Sequence, residues 1–285
     1  MKRSGVAHRH KVLFATLGAG VLILLGIGGG FVILLSGAMS TSATTQHFGI
    51  THRLLEAGLR FSVNSEAADI VVPTLTDPAL IERGLACYRE HCAQCHGSPE
   101  HSRVDAAKGM LPTPNSLAES AREWSPAGLY VITKNGVRMT GMPAWEFRLS
   151  ETGLWATVAF LVELPQLTRE RYSQLSTSAA SAECPRHTEP PQPAGRRETG
   201  DVLLRQYSCH ACHRISGVVG PDTYVGPPLL DLPRRKYVAG VLPNTRENLT
   251  RFIMSPQDVS PGTFMPDLGV PEPHAREMAE FLLSQ

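Results

Sequence analysis

The sequence predicts a mainly α-helical protein in which one N-terminal membrane-spanning helix is followed by two helical domains in tandem. Three observations lead to this fold class. An uncharged apolar run occupies residues 12–35. The pattern Cys-x-x-Cys-His occurs at residues 92–96 and again at residues 209–213. A stretch rich in serine, alanine and proline, residues 172–197, lies between the two patterns, as a linker between domains would.

Length and charge indicate the number of domains and argue against two classes of protein. The 285 residues suit two domains of about 150 residues each. Lys and Arg together number 27 and Asp and Glu 26, a balance that argues against a basic nucleic-acid-binding protein and against an acidic disordered tail. Glycine and proline are abundant while aromatic residues make up only 6%, so we expect loop-rich domains with small aromatic cores.

The apolar run is long enough to cross a hydrocarbon core of about 30 Å as a helix, and we predict a transmembrane anchor at residues 12–36. A cleaved signal peptide is the competing interpretation, because the small residues 36–38 resemble a cleavage site, although the run exceeds the usual apolar region of about 7 to 15 residues. The positive-inside rule places residues 1–11 in the cytoplasm and the rest of the chain outside. Four basic residues and no acidic residue precede the run: Lys2, Arg3, Arg9 and Lys11.

The chain after the anchor divides into four predicted parts. Residues 37–76 form a stalk that contains a short helix at 52–61. The first domain spans 77–171, the linker 172–197 and the second domain 198–285. A flexible linker of this length spans on the order of 25 to 30 Å, so the sequence leaves open whether the two domains dock or swing separately.

The repeated Cys-x-x-Cys-His pattern is the attachment signature of c-type haem, in which two thiols bind the two vinyl groups and the adjacent imidazole reaches the iron. A redox-active cysteine pair is the alternative, but no βαβ pattern surrounds either motif. Each motif instead closes a helical stretch, with Asp77 and Thr199 as predicted caps. The predicted attachment residues are Cys92, Cys95, Cys209 and Cys212, and the predicted histidine ligands are His96 and His213.

A six-coordinate haem iron needs a second axial ligand, and a methionine thioether favours the reduced iron. Met142 and Met265 are each followed by proline and each precede a predicted final helix, at residues 151–164, with Ser150 as its predicted cap, and at residues 274–284. We therefore predict these two as ligands. Met139 is the rival of Met142. The other methionines either come early, as Met110 does, or are expected in the core, as are Met254 and Met278.

Two further features concern the surroundings of the motifs. A proximal imidazole normally donates its second N–H to a carbonyl, for which the sequence offers Pro227 in the second domain and either Pro112 or Pro114 in the first. Cys87 and Cys184 remain after haem attachment. In an oxidising compartment they are expected to form a disulfide, the alternative being two unrelated free cysteines.

With these residues in view, the chain resembles class I cytochromes c in tandem. The stretches 137–145 and 154–161 resemble those of membrane-anchored bacterial cytochromes c encoded near respiratory oxidases. The stretches 239–253 and 261–266 are similar to the cytochrome c domain fused to subunit II of some haem-copper oxidases. The sequence has no copper-binding Cys/His cluster and only one predicted span, so the chain is not itself that subunit.

The resemblance implies a role for two glycines and a function for the chain. Gly84 and Gly200 are expected to let the first helix of each domain cross the last one closely. The resemblance implies a non-enzymatic, membrane-anchored protein with two covalently bound haem c groups. It would carry single electrons in a respiratory chain, from a redox donor protein to a haem-copper terminal oxidase, as its subunit or dedicated donor.

We expect the chain in a bacterial inner membrane as a single-pass protein with its haem domains on the periplasmic side. One alternative is the electron-accepting cytochrome subunit of a periplasmic dehydrogenase complex. The other is a dihaem peroxidase, which needs one haem that opens a coordination site for peroxide.

Overall fold

The structure is a computed structural model that describes residues 4–46, 48–186 and 196–285, with the side chains of 4–12 and 196–199 left aside. It consists of two compact units, Met1–Leu55 and Glu56–Gln285. Residues 1–3 of the predicted cytoplasmic segment and the central part of the predicted linker lie outside the described residues. The predicted cap at Thr199 is wrong, because a helix spans Arg196–Gln206 and includes this residue.

The first unit is dominated by helix α1, Ser4–Leu35. Its stretch Leu13–Leu35 is 23 residues long and has none of its apolar surface buried within the protein. By length and composition this helix is able to cross a membrane, which is the property that the sequence predicts for residues 12–36.

Helix α2, Gly49–Ala67, is longer than the helix predicted at 52–61. Its C-terminal half packs on the helices that follow. Val63 is buried, and Arg60 forms an ion pair of 2.9 Å with Glu123. The C-terminal half of α2 therefore belongs with the first domain, because Val63 and Arg60 both contact it.

Short helices build the first domain around one helix crossing. Helices α3 and α8 cross at Gly84, where an added Cβ would lie 1.9 Å from the carbonyl oxygen of Ala156. The core around the crossing is formed by Leu85, Tyr88 and Phe160, which are fully or almost fully buried. The helices are α3 Pro78–Cys87, α4 Ala93–His96, α5 Asp105–Lys108, α6 Leu117–Glu123, α7 Pro126–Asn135, α8 Glu151–Glu163 and α9 Arg169–Ser178, with a 3-10 turn at Leu164–Gln166.

The predicted caps of the two crossing helices are present. The Asp77 side chain accepts a hydrogen bond from the amide of Ala79, and proline occupies the first turn of α3. The Ser150 side chain accepts from the amide of Gly153 at the start of α8. These caps satisfy amides that have no partner within the helix.

The linker prediction is wrong for residues 172–186, because these residues pack on the first domain. Tyr172 in α9 is 2% exposed. The amide of Ser150 donates to the carbonyl of Pro185 at 3.2 Å, and Cys184 forms a disulfide with Cys87. Serine and alanine suggested a flexible chain there, but a buried tyrosine and a covalent bond fix it. The disulfide confirms the first of the two alternatives for these cysteines.

The second domain repeats the crossing with fewer helices. An added Cβ at Gly200 in α10 would lie 2.2 Å from Cβ of Phe281 in α13, so both glycines have the role expected of them. Helix α13 begins two residues before the predicted start at 274. The elements are α10 Arg196–Gln206, β1 Tyr237–Val238, β2 Leu242–Pro243, α11 Arg246–Met254, α12 Pro256–Val259 and α13 Glu272–Leu283, with 3-10 turns at Cys209–Ala211 and Leu232–Arg234 and an antiparallel β1–β2 pair.

Candidate haem sites

The first Cys-x-x-Cys-His motif follows α3 without a break. A π-helical turn, Tyr88–Cys92, leads into α4, which ends at His96. The buried Tyr88 hydroxyl donates to the carbonyl of Gly97 just beyond the motif, and its ring contacts Phe160 with centroids 4.9 Å apart. The motif is therefore held at both ends by the core of the helix crossing.

The His96 ring is oriented by one backbone carbonyl. Its Nδ1 lies 2.7 Å from the carbonyl oxygen of Asn115, so that Nδ1–H donates and Nε2 keeps a free lone pair. Burial lowers the pKa of His96, which favours the neutral ring that binds metal. The sequence pointed to Pro112 or Pro114 for this carbonyl, and this was wrong. Any carbonyl accepts such a bond, so the path of the loop decides which residue supplies it.

The loop that carries Met142 lies between α7 and α8. The amide of Met142 donates to Oγ1 of Thr140 at 3.1 Å, and its carbonyl accepts from the amide of Val137 at 3.2 Å. Met142 is half-buried. Met139, the rival ligand, has a left-handed backbone and a side chain that is 87% exposed. The structure thus favours Met142 over Met139.

Met110 comes closer to this loop than its early position in the sequence suggests. An added Cβ at Gly141 would lie 1.9 Å from Cε of Met110. The Met110 thioether therefore packs against the residue that precedes Met142. Sequence reasoning missed this neighbour, because no pattern links Met110 to a loop thirty residues further along the chain.

The second motif repeats the proximal arrangement. It begins in the 3-10 turn Cys209–Ala211 and ends at His213, whose Nδ1 lies 2.8 Å from the carbonyl oxygen of Pro227. The Pro227 prediction is confirmed. The His213 ring packs on Gly226, where an added Cβ would lie 2.4 Å from Cε1 of the imidazole. Only glycine allows the ring this close to the backbone.

The Met265 loop has the same local bond as the Met142 loop. The amide of Met265 donates to Oγ1 of Thr263 at 3.3 Å, and its carbonyl accepts from Nε2 of Gln257 at 2.6 Å. Met265 is half-buried, whereas Met278 is fully buried in the core and Met254 packs against it, as predicted. The shared Thr-x-Met-Pro pattern is a sequence signal that the analysis of methionine and proline alone did not use.

Residues 79–161 match a protein family described as cytochrome C oxidase, cbb3-type, subunit III. The match contains the first Cys-x-x-Cys-His motif, the Met142 loop and both crossing helices. Residues 79–161 form a cytochrome c domain. Such a domain binds haem c covalently, so the chain carries covalently bound haem c.

The chain is also similar to a curated protein. It is 32% identical over 104 residues to cytochrome c oxidase subunit 2 of Alkalihalophilus pseudofirmus. The match covers 36% of this chain and 28% of the relative, so the chain spans less than a third of the length of that protein. No solved structure matches this chain.

The first thiol of each motif differs from that of a redox-active cysteine pair. Burial raises the pKa of Cys92 in the cytochrome c domain to about 12, and that of Cys209 in the second motif to about 11. Redox-active Cys-x-x-Cys pairs instead have a lowered thiol pKa.

Proposed function

We propose that the protein is a membrane-anchored dihaem c-type cytochrome that carries single electrons in a respiratory chain without catalysing a reaction of its own. The observation that carries this proposal is the pair of equivalent sites. In both domains a histidine Nδ1 is bonded to a carbonyl, and a Thr-x-Met-Pro loop precedes the last helix. One such site belongs to the cytochrome c domain, and the second has the same parts.

The residue assignments follow from this pairing. Cys92 and Cys95 would attach the first haem and Cys209 and Cys212 the second. The axial pairs would be His96 with Met142 and His213 with Met265. A haem iron with a histidine and a methionine ligand cycles between its ferric and ferrous states.

The chain's own residues would tune and protect these sites. The carbonyl bonds at Nδ1 of His96 and His213 fix the tautomer and increase the basicity of each ring. The threonine bonds place the backbone of each methionine. An iron held from both sides has no position for peroxide, which favours electron transfer over a peroxidase.

The partner that we propose is a haem-copper terminal oxidase, with this chain as a subunit or dedicated donor. Both comparisons support this choice, because the matched family and the relative are named as cytochrome c oxidase subunits. The electron donor would be another redox protein. We further propose that the haem domains face the periplasm of a bacterial inner membrane, which the Cys87–Cys184 disulfide supports because such bonds persist in oxidising compartments.

The test is purification of the chain from its native membrane in mild detergent, followed by a reduced-minus-oxidised visible spectrum and an analysis of iron, haem and copper. We expect two haem c groups per chain, together with a- or b-type haem and copper from the oxidase. One haem c per chain would refute the dihaem assignment. Absorption bands of c-type haem accompanied by a flavin or quinone dehydrogenase, without copper, would refute the oxidase as partner.

A further inference from the structure

The two haem motifs are connected by contacts that the function described so far does not use. The segment 145–148 follows the Met142 loop directly. Phe147 in this segment packs against the hydrophobic core of the second domain. The covalent connection between the domains runs through residues 187–195, which contain three prolines in their sequence, so a defined separation of the domains depends on noncovalent contacts such as this one.

Arg148 makes the polar part of the contact. Its Nη1 donates to Oε1 of Gln206 and its Nη2 donates to the carbonyl oxygen of Gln206, both at 3.2 Å. Its guanidinium lies 5.7 Å from the centre of the Tyr207 ring. Nη1 also lies 3.4 Å from the carbonyl oxygen of Ala144. One planar fork thus joins the methionine loop of the first domain to the end of α10 in the second.

Both ends of this contact adjoin attachment cysteines. On one side, the Trp145 ring stacks on His91, the residue before Cys92, with centroids 4.8 Å apart. On the other side, the Tyr207 carbonyl lies 4.0 Å from Sγ of Cys209. The Tyr207 hydroxyl and Nδ1 of His274 are 2.9 Å apart, which fixes the ring under the guanidinium.

We propose that Arg148 is a positioning residue that docks the two haem domains through segments next to their attachment motifs, so that an electron passes between the two sites within one chain. This inference rests on the proposed function, because it requires two haems. Arg148 touches neither predicted site. It acts by holding the distance between the two sites constant. A charged group that makes two hydrogen bonds and also lies over an aromatic ring restrains that distance.

The experiment uses the full chain in detergent, with haem content measured for each preparation. Pulse radiolysis injects at most one electron per chain, and the absorbance change after the first reduction reports its equilibration between the two haems. We expect Arg148→Ala to slow this step about tenfold, the factor that corresponds to ~1.4 kcal/mol of docking free energy. The slowed rate should also depend on solvent viscosity, because domain motion then limits it.

Matched variants separate positioning from general damage. Arg148→Lys keeps the charge but loses the planar fork, so its rate should fall between those of wild type and Arg148→Ala. Arg171→Ala removes an exposed arginine of α9 that bonds only its helix neighbour Gln174 among the described contacts, and should leave the rate unchanged. Gln206→Ala removes one of the two acceptors and should slow transfer less than Arg148→Ala.

The outcomes are distinguishable. If both haems are present and neither Arg148→Ala nor Gln206→Ala changes the rate or its viscosity dependence, the positioning role is wrong while the proposed function stands. If the wild-type chain carries one haem, the proposed function is wrong, and so is the positioning role, because it requires two haems. If Arg148→Ala fails to fold, the Gln206→Ala result alone decides.

Discussion

The two histidines and the two candidate methionines are fixed in different ways. Each imidazole is held through its own side chain, by the carbonyl of Asn115 or Pro227. The bonds at Met142 and Met265 hold only the backbone, and each thioether is placed by the loop that carries it. A single methionine substitution is therefore expected to change ligation without disturbing the proximal side.

Replacing Met142 or Met265 with alanine should each leave one haem iron without its second axial ligand. That haem should then bind carbon monoxide when reduced, and the double variant should bind two equivalents. The measurement is a carbon monoxide difference spectrum of the purified full chain. Met139→Ala is the matched control in the same loop and should not react, because the Met139 side chain is almost fully exposed.

The position of Met110 defines the outcome that would contradict Met142 as the ligand. Its Cε lies against Gly141, within the loop of Met142. If Met142→Ala stays low-spin and unreactive while Met110→Ala binds carbon monoxide, the ligand of the first domain is Met110. Reaction of Met142→Ala alone keeps the assignment made from the Met-Pro pattern.

Each domain is organised by a pair of helices that cross at a glycine, and the attachment motif follows the first helix of the pair. Side chains larger than hydrogen at Gly84 or Gly200 would overlap the opposite helix. Because Tyr88 and the motif continue directly from α3, a shift at this crossing is expected to move the haem attachment residues as well.

Gly84→Ala should lower the free energy of unfolding of the first domain by at least about 1 to 3 kcal/mol, the usual cost of overpacking a core. The obstacle is the Ala156 backbone at 1.9 Å, which has no rotamer to change. Denaturant unfolding followed by circular dichroism measures the effect. Gly58→Ala in α2 is the matched control: open space surrounds it, and the gain in helix propensity should stabilise by up to about 1 kcal/mol. Equal effects at the two positions would contradict a close crossing.

The elements that the sequence predicted are those whose signals are local. Asp77, Ser150 and the two glycines act within one turn or at one crossing, and residue type alone reveals them. Helices α7 and α9 begin at caps of the same kind, Ser125 and Thr168, so the sequence carries a local signal for them as well. The Tyr172 ring packs near Phe160, and the disulfide joins residues 97 positions apart. These contacts are distant in the sequence, so serine and alanine composition suggested a linker where the chain is packed. The Asn115 carbonyl could not be predicted either, because any residue type supplies a backbone acceptor.

At the scale of the whole molecule, the proposed haem attachment and the disulfide together account for all six cysteines of the chain. Four would carry thioethers and two form the Cys87–Cys184 disulfide, which joins the segment after α9 to α3. The expected product of secretion and maturation is therefore a chain without free thiols, and thiol content becomes a measure of correct assembly.

Thiol titration of the denatured, unreduced chain should find no free thiol, and titration after reduction should find two. The double variant Cys87→Ser with Cys184→Ser should lower the unfolding free energy of the first domain by about 2 to 4 kcal/mol, because the disulfide closes a long loop in the unfolded chain. Its haem content should equal that of wild type. Two free thiols in the unreduced wild-type chain would show that the disulfide does not form in the cell.

The N-terminal helix decides whether the rest of the chain diffuses or stays beside the membrane. If α1 is a retained anchor, the full chain should remain in the membrane after an alkaline carbonate wash, because burial of the apolar stretch Leu13–Leu35 does not depend on ionic contacts. A variant with residues 1–36 replaced by a cleavable signal peptide should be soluble with unchanged haem spectra.

Protease added to spheroplasts should remove the haem domains, because the basic residues before the run hold the N-terminus inside. A mature chain that begins near Ala38 and is released in soluble form would instead identify residues 12–35 as part of a signal peptide, and the proposed association with an oxidase would then need a docking surface on the haem domains alone.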